Sequence, residues 1–197
     1  MSEILLTGTF RVSFPNVFKP TKNSRDEDVY DLAMLFPKGS KAVDELMRIA
    51  KDAAKEKWPK LEKHPNAKSP KKWFPGLRCP LRDGADKAYD GYGEDIVFAR
   101  ASTKKRPPVV SQKNVPLDST DDFYAGCYAR AFVNAWCYDR DGNKGVAFGL
   151  SAIQKVRDGE SFGGMDVPEF EEIETDDGAE SFDNDADGAD DGTDYLN

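Results

Sequence analysis

The chain of 197 residues is long enough for one domain with a hydrophobic core and a further segment. Its 28 Lys and Arg are outnumbered by 36 Asp and Glu, which gives a formal net charge of −8. Because no apolar stretch is as long as a membrane-spanning helix and the N-terminus lacks the features of a signal peptide, the sequence predicts a cytoplasmic protein without membrane contact.

Alternating apolar residues predict two strands at the start of the chain. Residues 4–14 alternate with a period of two, as in a half-buried strand, and Pro15 is expected to end it. Residues 19–25 are polar and predict a loop, and residues 29–36 predict a second strand.

A single amphipathic helix is predicted next. Ser40 is the expected N-cap, and Trp58 with Pro59 is expected to end the helix. Between these limits apolar residues recur at helical spacing, so one face can pack on a sheet: Val43, Leu46, Met47, Ala50, Ala53 and Ala54.

The middle of the chain combines an irregular segment with a third strand. Residues 62–94 contain several Pro and Gly and no clear period, which predicts a long excursion of the kind that is often functional. A strand is predicted over residues 96–102, followed by a basic loop over residues 104–108.

The longest strand signal spans residues 123–138; Asp141-Gly142 predicts a hairpin turn, and residues 144–156 return antiparallel. One face of the long strand is small and apolar, whereas the other interleaves aromatic residues with Arg and Asn, including Tyr128, Arg130 and Trp136. Such a face is typical of a surface that stacks on bases. In the alternative, the bulky face fills a barrel, and periodicity does not decide between the two.

The negative net charge averages two unlike regions. Fourteen acidic residues and no Lys or Arg lie in residues 166–197, so residues 1–165 hold 22 acidic and all 28 basic residues. A basic body is typical of proteins that bind polyanions, and an acidic segment with few apolar residues is typical of disorder. We predict a folded domain over residues 1–164 and a disordered acidic tail over residues 165–197.

Motifs of enzymes are missing from the sequence. It contains no P-loop, GxGxxG or GxSxG, and its three cysteines (Cys79, Cys127 and Cys137) and His64 lack the spacing of metal ligands. We therefore predict reduced, partly buried thiols, no metal, no cofactor and no enzymatic activity. Scattered carboxylates that assemble a Mg²⁺ nuclease site remain an open alternative.

Two basic stretches without acidic residues are the candidate binding elements. The first, residues 63–82, surrounds two adjacent aromatic residues with cations: Lys68, Lys71, Lys72, Trp73, Phe74, Arg78 and Arg82. The second, residues 96–117, includes Phe98, Arg100, Lys104, Lys105 and Arg106. Cations hold phosphates and exposed rings stack on any base, so both stretches fit single-stranded nucleic acid. In the alternative, Trp73 and Phe74 fold back onto the core.

The order of several motifs resembles a family of tailed-phage proteins. The motifs are Arg-Val-Ser-Phe-Pro-Asn-Val-Phe over 11–18, a Leu-Phe-Pro-Lys turn into the helix, Arg-Pro-Pro-Val-Val over 106–110, and the closing residues 149–160. That family, formerly a domain of unknown function, comprises phage single-stranded DNA-binding proteins with an OB fold, and the similarity covers about residues 4–164. The acidic tail is similar in kind to the tails of phage and bacterial single-strand binders.

Together these observations predict an all-β, antiparallel barrel of OB type with one packed α-helix. The resemblance implies sequence-independent binding of single-stranded DNA during phage replication, recombination or repair in the infected bacterial cell. Replication or recombination proteins are the expected partners of the tail. The alternatives are a metal-dependent recombination nuclease or resolvase, and an acidic DNA mimic that inhibits host nucleases, against which the basic body argues.

Overall fold

The computed structural model describes residues 3–140 and 142–163, and within them the chain forms mainly β-strands and one α-helix. The predicted tail, residues 165–197, lies outside the described residues. The described elements are β1 (Ile4–Leu6), β2 (Phe10–Lys22), β3 (Asp28–Pro37), α1 (Lys41–Lys57), β4 (Leu81–Asp83), β5 (Ile96–Thr103), β6 (Val109–Val110), β7 (Tyr128–Arg140) and β8 (Asn143–Arg157), with short 3-10 helices at Pro59–Lys63, Pro65–Lys68 and Gly84–Asp86.

The sheet closes on itself as a ring. Strands β2, β3, β5, β8 and β7 pair in that order, and β7 pairs back with β2. All of these pairs are antiparallel except β5 with β8, which run parallel. The short strands extend the ring, since β1 pairs with β7, β4 with β5 and β6 with β8. The prediction of a mainly β, closed architecture with one helix is confirmed.

The interior of the ring holds the main hydrophobic core. Phe10, Phe36 and Phe148 are among its largest fully buried side chains, and each contributes about 1.5–3 kcal/mol relative to exposure. The small face of β7 points inward, because Ala129, Ala131, Val133 and Ala135 are all buried. The open question about this strand is thereby decided: its aromatic face is the outer one.

The predicted helix is confirmed, with Ser40 as N-cap and Trp58 as C-cap. Its buried face includes Leu46, Ile49 and Ala50, which pack on the core. The Ser40 hydroxyl makes no capping hydrogen bond, so the residue marks the helix start through its extended backbone.

The first predicted strand is wrong in its limits. The chain forms two strands, and β2 continues through Pro15 to Lys22. Its pairing with β3 shifts register on both sides of Asn16, and a proline is tolerated at such irregularities because no ladder hydrogen bond is needed there. Phe14 adopts a positive φ of 48° at the first shift, which turns its ring out of the alternation and into solvent.

The long strand also starts later than predicted. Residues 123–127 form a turn that buries Phe123, and β7 begins only at Tyr128. The hairpin to β8 is confirmed by the pairing of Arg140 with Asn143, which leaves two residues for the turn. Asp141 lies outside the described residues, whereas Gly142 has the positive φ (80°) that such turns require.

Within the described part of the chain, no helix is long and apolar enough to cross a membrane. The three cysteines are free, and burial raises the pKa of each thiol, which favours the protonated form over the nucleophilic thiolate.

Candidate nucleic-acid interface

A groove runs along the outer face of β3 and β5. Two adjoining cavities of about 250 Å³ each form it, and both are lined by Arg82, Phe98 and Arg100. The other charged and aromatic side chains that line the groove are Phe14, Arg78, Lys87, Tyr89, Tyr92 and Tyr138. We call this surface the arginine groove.

Strand register builds the floor of the arginine groove. Phe98 and Arg100 point outward from β5, because Ala99 and Ala101 between and after them are buried in the barrel. Antiparallel pairing sets Phe98 opposite Leu35 of β3 and Arg100 opposite Ala33. Ala33, Leu35 and Phe98 form a small apolar cluster separate from the main core, and this cluster is the floor.

A buried carboxylate holds one of the arginines. The Arg100 guanidinium donates to Asp31 Oδ2 at 2.6 Å, and Asn16 Nδ2 donates to Asp31 Oδ1 at 2.9 Å. The Asp31 side chain is only 11% exposed, whereas that of Arg100 is 58% exposed. The anchored guanidinium therefore faces the groove in a fixed orientation, with donors left for a phosphate or a base.

Aromatic rings form one wall. Tyr89 is 54% exposed and meets the exposed Phe14 edge to face, with ring centroids 5.2 Å apart. Tyr92 connects this pair to the floor, since its ring lies 5.8 Å from Tyr89 and 5.2 Å from Phe98. Its hydroxyl donates to Ser13 Oγ at 3.3 Å, and burial raises the pKa of this phenol, so it stays neutral.

Cations line the groove along its length. Arg78, Arg82, Arg100 and Lys87 are all exposed, and an exposed cation in a concave surface attracts phosphate. At the Arg78 end, Tyr138 packs over Gly145, where a side chain would collide with its ring. Cations, exposed rings and an apolar floor together are the chemical parts of a surface for single-stranded nucleic acid.

The family model of the Enterobacter phage Enc34 ssDNA-binding protein matches residues 3–182 of the chain. The chain belongs to this family.

Individual relatives agree with the family match. Protein p50 of Acyrthosiphon pisum secondary endosymbiont phage 1 is 36% identical over 169 residues, which cover 83% of this chain and 89% of that relative. Among solved structures, the single-stranded DNA-binding protein of bacteriophage Enc34 in complex with ssDNA superposes with a TM-score of 0.58 at 23% identity, over 81% of this chain and 89% of the other. The single-stranded DNA-binding protein gp2.5 of bacteriophage T7 gives a TM-score of 0.56 at 15% identity, over 84% and 92%. At these identities the structural matches show a shared fold.

Four of the residues predicted as contacts come together in the arginine groove of this family member: Arg78, Arg82, Phe98 and Arg100. Phe98 is 5% exposed, so it serves as floor rather than as a free stacking ring. Its predicted contact with DNA therefore stays a prediction, made through the groove floor.

The fold places the residues of the Lys-Lys-Trp-Phe segment, 71–74, in different environments. Phe74 is 1% exposed within the main core, so the prediction that it stacks on a base is wrong. Trp73 packs partly against that core, and its Nε1–H donates to the Leu77 carbonyl at 2.8 Å. Lys68, Lys71 and Lys72 are exposed but do not line the groove.

The interior of this segment is held by a buried lysine. Lys51 of α1 donates to the carbonyls of Asn66 and Ser69, and burial lowers its pKa. Its ammonium also lies 5.8 Å from the centre of the Phe74 ring. These contacts tie residues 66–74 to the helix, which explains why an irregular segment has its aromatic residues inside.

The remaining predicted contacts lie elsewhere on the surface. Lys104 pairs with Glu27 and Arg106 with Asp118, both at 2.9 Å, while Lys105 is exposed. On the outer face of β7 the polar groups are also engaged: Arg157 stacks on Tyr128 at 3.5 Å from the ring centre, and Arg130 donates to Gln154. Trp136 is exposed, with its ring 6.0 Å from Tyr138 at the end of the groove.

Sequence reasoning missed the aromatic wall. Tyr89 and Tyr92 lie on either side of Gly91 in the irregular segment, and Phe14 belongs to the alternating pattern of residues 4–14, in phase with the buried Phe10 and Val12. The signal available in the sequence was the six-residue stretch 87–92 of the irregular segment, which contains a lysine, two tyrosines and a glycine.

Proposed function

We propose that the chain binds single-stranded DNA along the arginine groove, independently of sequence, in phage DNA replication, recombination or repair. The observation that carries the proposal is the meeting of four exposed cations with the Tyr89–Phe14 pair over one apolar floor. Phosphates pair with the cations, and bases stack on rings that accept any base. Membership of the Enc34 family supports the same ligand.

We propose further that the barrel is an elaborated OB fold. Its five ring strands follow the order first, second, third, fifth, fourth, with the third and fifth parallel, as expected for a closed Greek-key barrel. The elaborations are α1, inserted between the second and third ring strands, and the added strands β1, β4 and β6. In this arrangement the arginine groove lies on the second and third ring strands, the face with which OB folds bind oligonucleotides.

The acidic tail is proposed to compete with DNA and to recruit partner proteins. Phe162, one of the last described residues, packs on the apolar cluster under the groove, and its N–H donates to the Ala125 carbonyl at 3.0 Å. The described chain therefore ends next to the floor of the arginine groove. A tethered segment with fourteen acidic residues reaches an effective concentration on the order of millimolar, so it competes weakly until a long strand displaces it.

A titration with oligo(dT) tests the proposal. The full chain should shift and retain oligo(dT) without Mg²⁺, and the oligonucleotide should remain intact after Mg²⁺ is added. Cleavage that depends on Mg²⁺ would support a recombination nuclease instead, and no shift at low salt would refute binding by the groove.

A further inference from the structure

A cleft of about 510 Å³ lies at the C-terminal end of α1. Its floor is apolar, from Trp58, Leu61, Pro75 and Leu77. Three lysines stand at its rim: Lys57, Lys60 and Lys144. We call this surface the lysine cleft.

The lysine cleft adjoins the arginine groove. The Arg78 N–H donates to the Lys144 carbonyl at 2.8 Å, and the Val146 N–H donates to the Arg78 carbonyl at 3.3 Å. Arg78 and Val146 line the groove, whereas Leu77 and Lys144 line the cleft. The two surfaces are therefore separated by one pair of hydrogen-bonded backbones.

The charge at the rim is largely uncompensated. Lys57 and Lys60 are exposed and form no salt bridge with any described residue. Lys144 pairs with Asp139 at 3.1 Å, so it contributes less free charge than the other two. Unpaired cations around an apolar floor attract a ligand that combines negative charge with flat or apolar groups.

We propose that single-stranded DNA leaving the arginine groove past Arg78 continues into the lysine cleft. A base packs against Trp58 there, and the flanking phosphates pair with Lys57 and Lys60. The inference rests on the proposed function, because it extends the path of the same ligand. Continuity with the groove favours DNA over an acidic peptide, and a ring beside cations is the usual combination for a single-strand subsite.

If DNA follows this path, the contribution of the lysine cleft to affinity depends on the length of the oligonucleotide. A short oligo(dT) occupies the groove alone, whereas a longer one also reaches the cleft. Each phosphate neutralised on a single strand contributes about 0.7 to the salt slope of log affinity, so two lysines contribute about 1.4.

The test compares two double variants of the full chain with the unchanged protein. Lys57→Gln/Lys60→Gln removes two charges from the cleft, and Lys19→Gln/Lys41→Gln removes two exposed charges outside both surfaces. Oligo(dT) of increasing length is titrated at 0.1 and 0.3 M NaCl, with thermal unfolding as a check on the fold.

The cleft variant should match the control with the shortest oligonucleotides that bind and fall behind it with long ones. For long oligo(dT), the deficit should widen about fivefold as NaCl is lowered from 0.3 to 0.1 M, given the slope difference. Equal affinities of variant and control at every length overturn the inference, and so does a deficit that is independent of length. An acidic peptide of residues 166–174 that binds the cleft and is not displaced by long oligo(dT) also overturns it. If no protein binds DNA of any length, the proposed function itself fails.

Discussion

The exposed rings of Tyr89 and Phe132 provide matched substitutions that distinguish the arginine groove from the outer face of β7. Tyr89 is 54% exposed in the groove wall, and Phe132 is 45% exposed on β7, away from the groove. Replacing either by Ala removes one large ring that is about half exposed. Any general effect of losing an aromatic ring should therefore be similar in both variants.

The two substitutions should differ greatly in their effect on Kd and little in their effect on stability. Loss of one stacked base costs about 1–3 kcal/mol, which is about a 5- to 150-fold rise in Kd for Tyr89→Ala. Phe132→Ala should change Kd by less than about twofold if DNA follows the groove. The Tyr89 ring also makes edge contacts with Phe14 and Tyr92, each worth about 0.5–1.5 kcal/mol, so Tm should fall by about 2–12 °C without loss of the fold.

Fluorescence anisotropy of labelled oligo(dT) at a fixed salt concentration gives both Kd values, and thermal unfolding gives both Tm values. Tyr89→Ala should weaken binding and retain the fold. If Phe132→Ala weakens binding as much as Tyr89→Ala does, then DNA crosses the outer face of β7 and the assignment of the groove is refuted.

Four further outcomes follow from the same structure. Arg82→Gln should lower the salt slope of oligo(dT) binding by about 0.7, and an unchanged slope would remove this arginine from the phosphate contacts. Asp31→Asn should weaken binding about two- to tenfold at 0.3 M NaCl, because a freed Arg100 must be ordered on binding, whereas tighter binding at that salt would mean that the carboxylate only repels DNA. Trp73→Ala should lower stability by about 2–4 kcal/mol through lost packing, measured by denaturant unfolding, with Kd unchanged; a weaker Kd with normal stability would restore its role as a stacking ring. Deleting residues 166–197 should raise the affinity for oligo(dT), most at low salt, and equal affinity at low salt would show that the tail does not compete.

The sequence predicted most of the elements because their signals are local. The limits of α1 follow from Ser40, a residue type that favours helix starts, and from the proline after Trp58, and the β7–β8 hairpin follows from a turn dipeptide between two strand patterns. Arg78, Arg82 and Arg100, which line the arginine groove, were among the predicted contacts because acid-free basic stretches are visible in the sequence.

The remaining features depend on contacts between distant parts of the chain. Phe14 breaks its alternation because β2 must shift register against β3, and a one-residue shift turns side chains to the other face. Phe74 is buried because Lys51, 23 residues earlier, holds its segment to the helix. The aromatic wall could not be predicted from the sequence either, since Tyr89 and Phe14, which are in contact, are 75 residues apart in the chain.

The parallel pairing of β5 with β8 has a consequence for how the protein folds. Ala101 pairs with Phe148, so 46 intervening residues must be looped before this contact forms. Such long-range closure is slow compared with the formation of α1 or the β7–β8 hairpin, because loop entropy is lost before any contact is gained. The wall of the arginine groove near Val146 and Ala147 belongs to β8, whereas its floor belongs to β3 and β5. During synthesis from the N-terminus, therefore, the nascent chain cannot present the complete groove until β8 has emerged and docked.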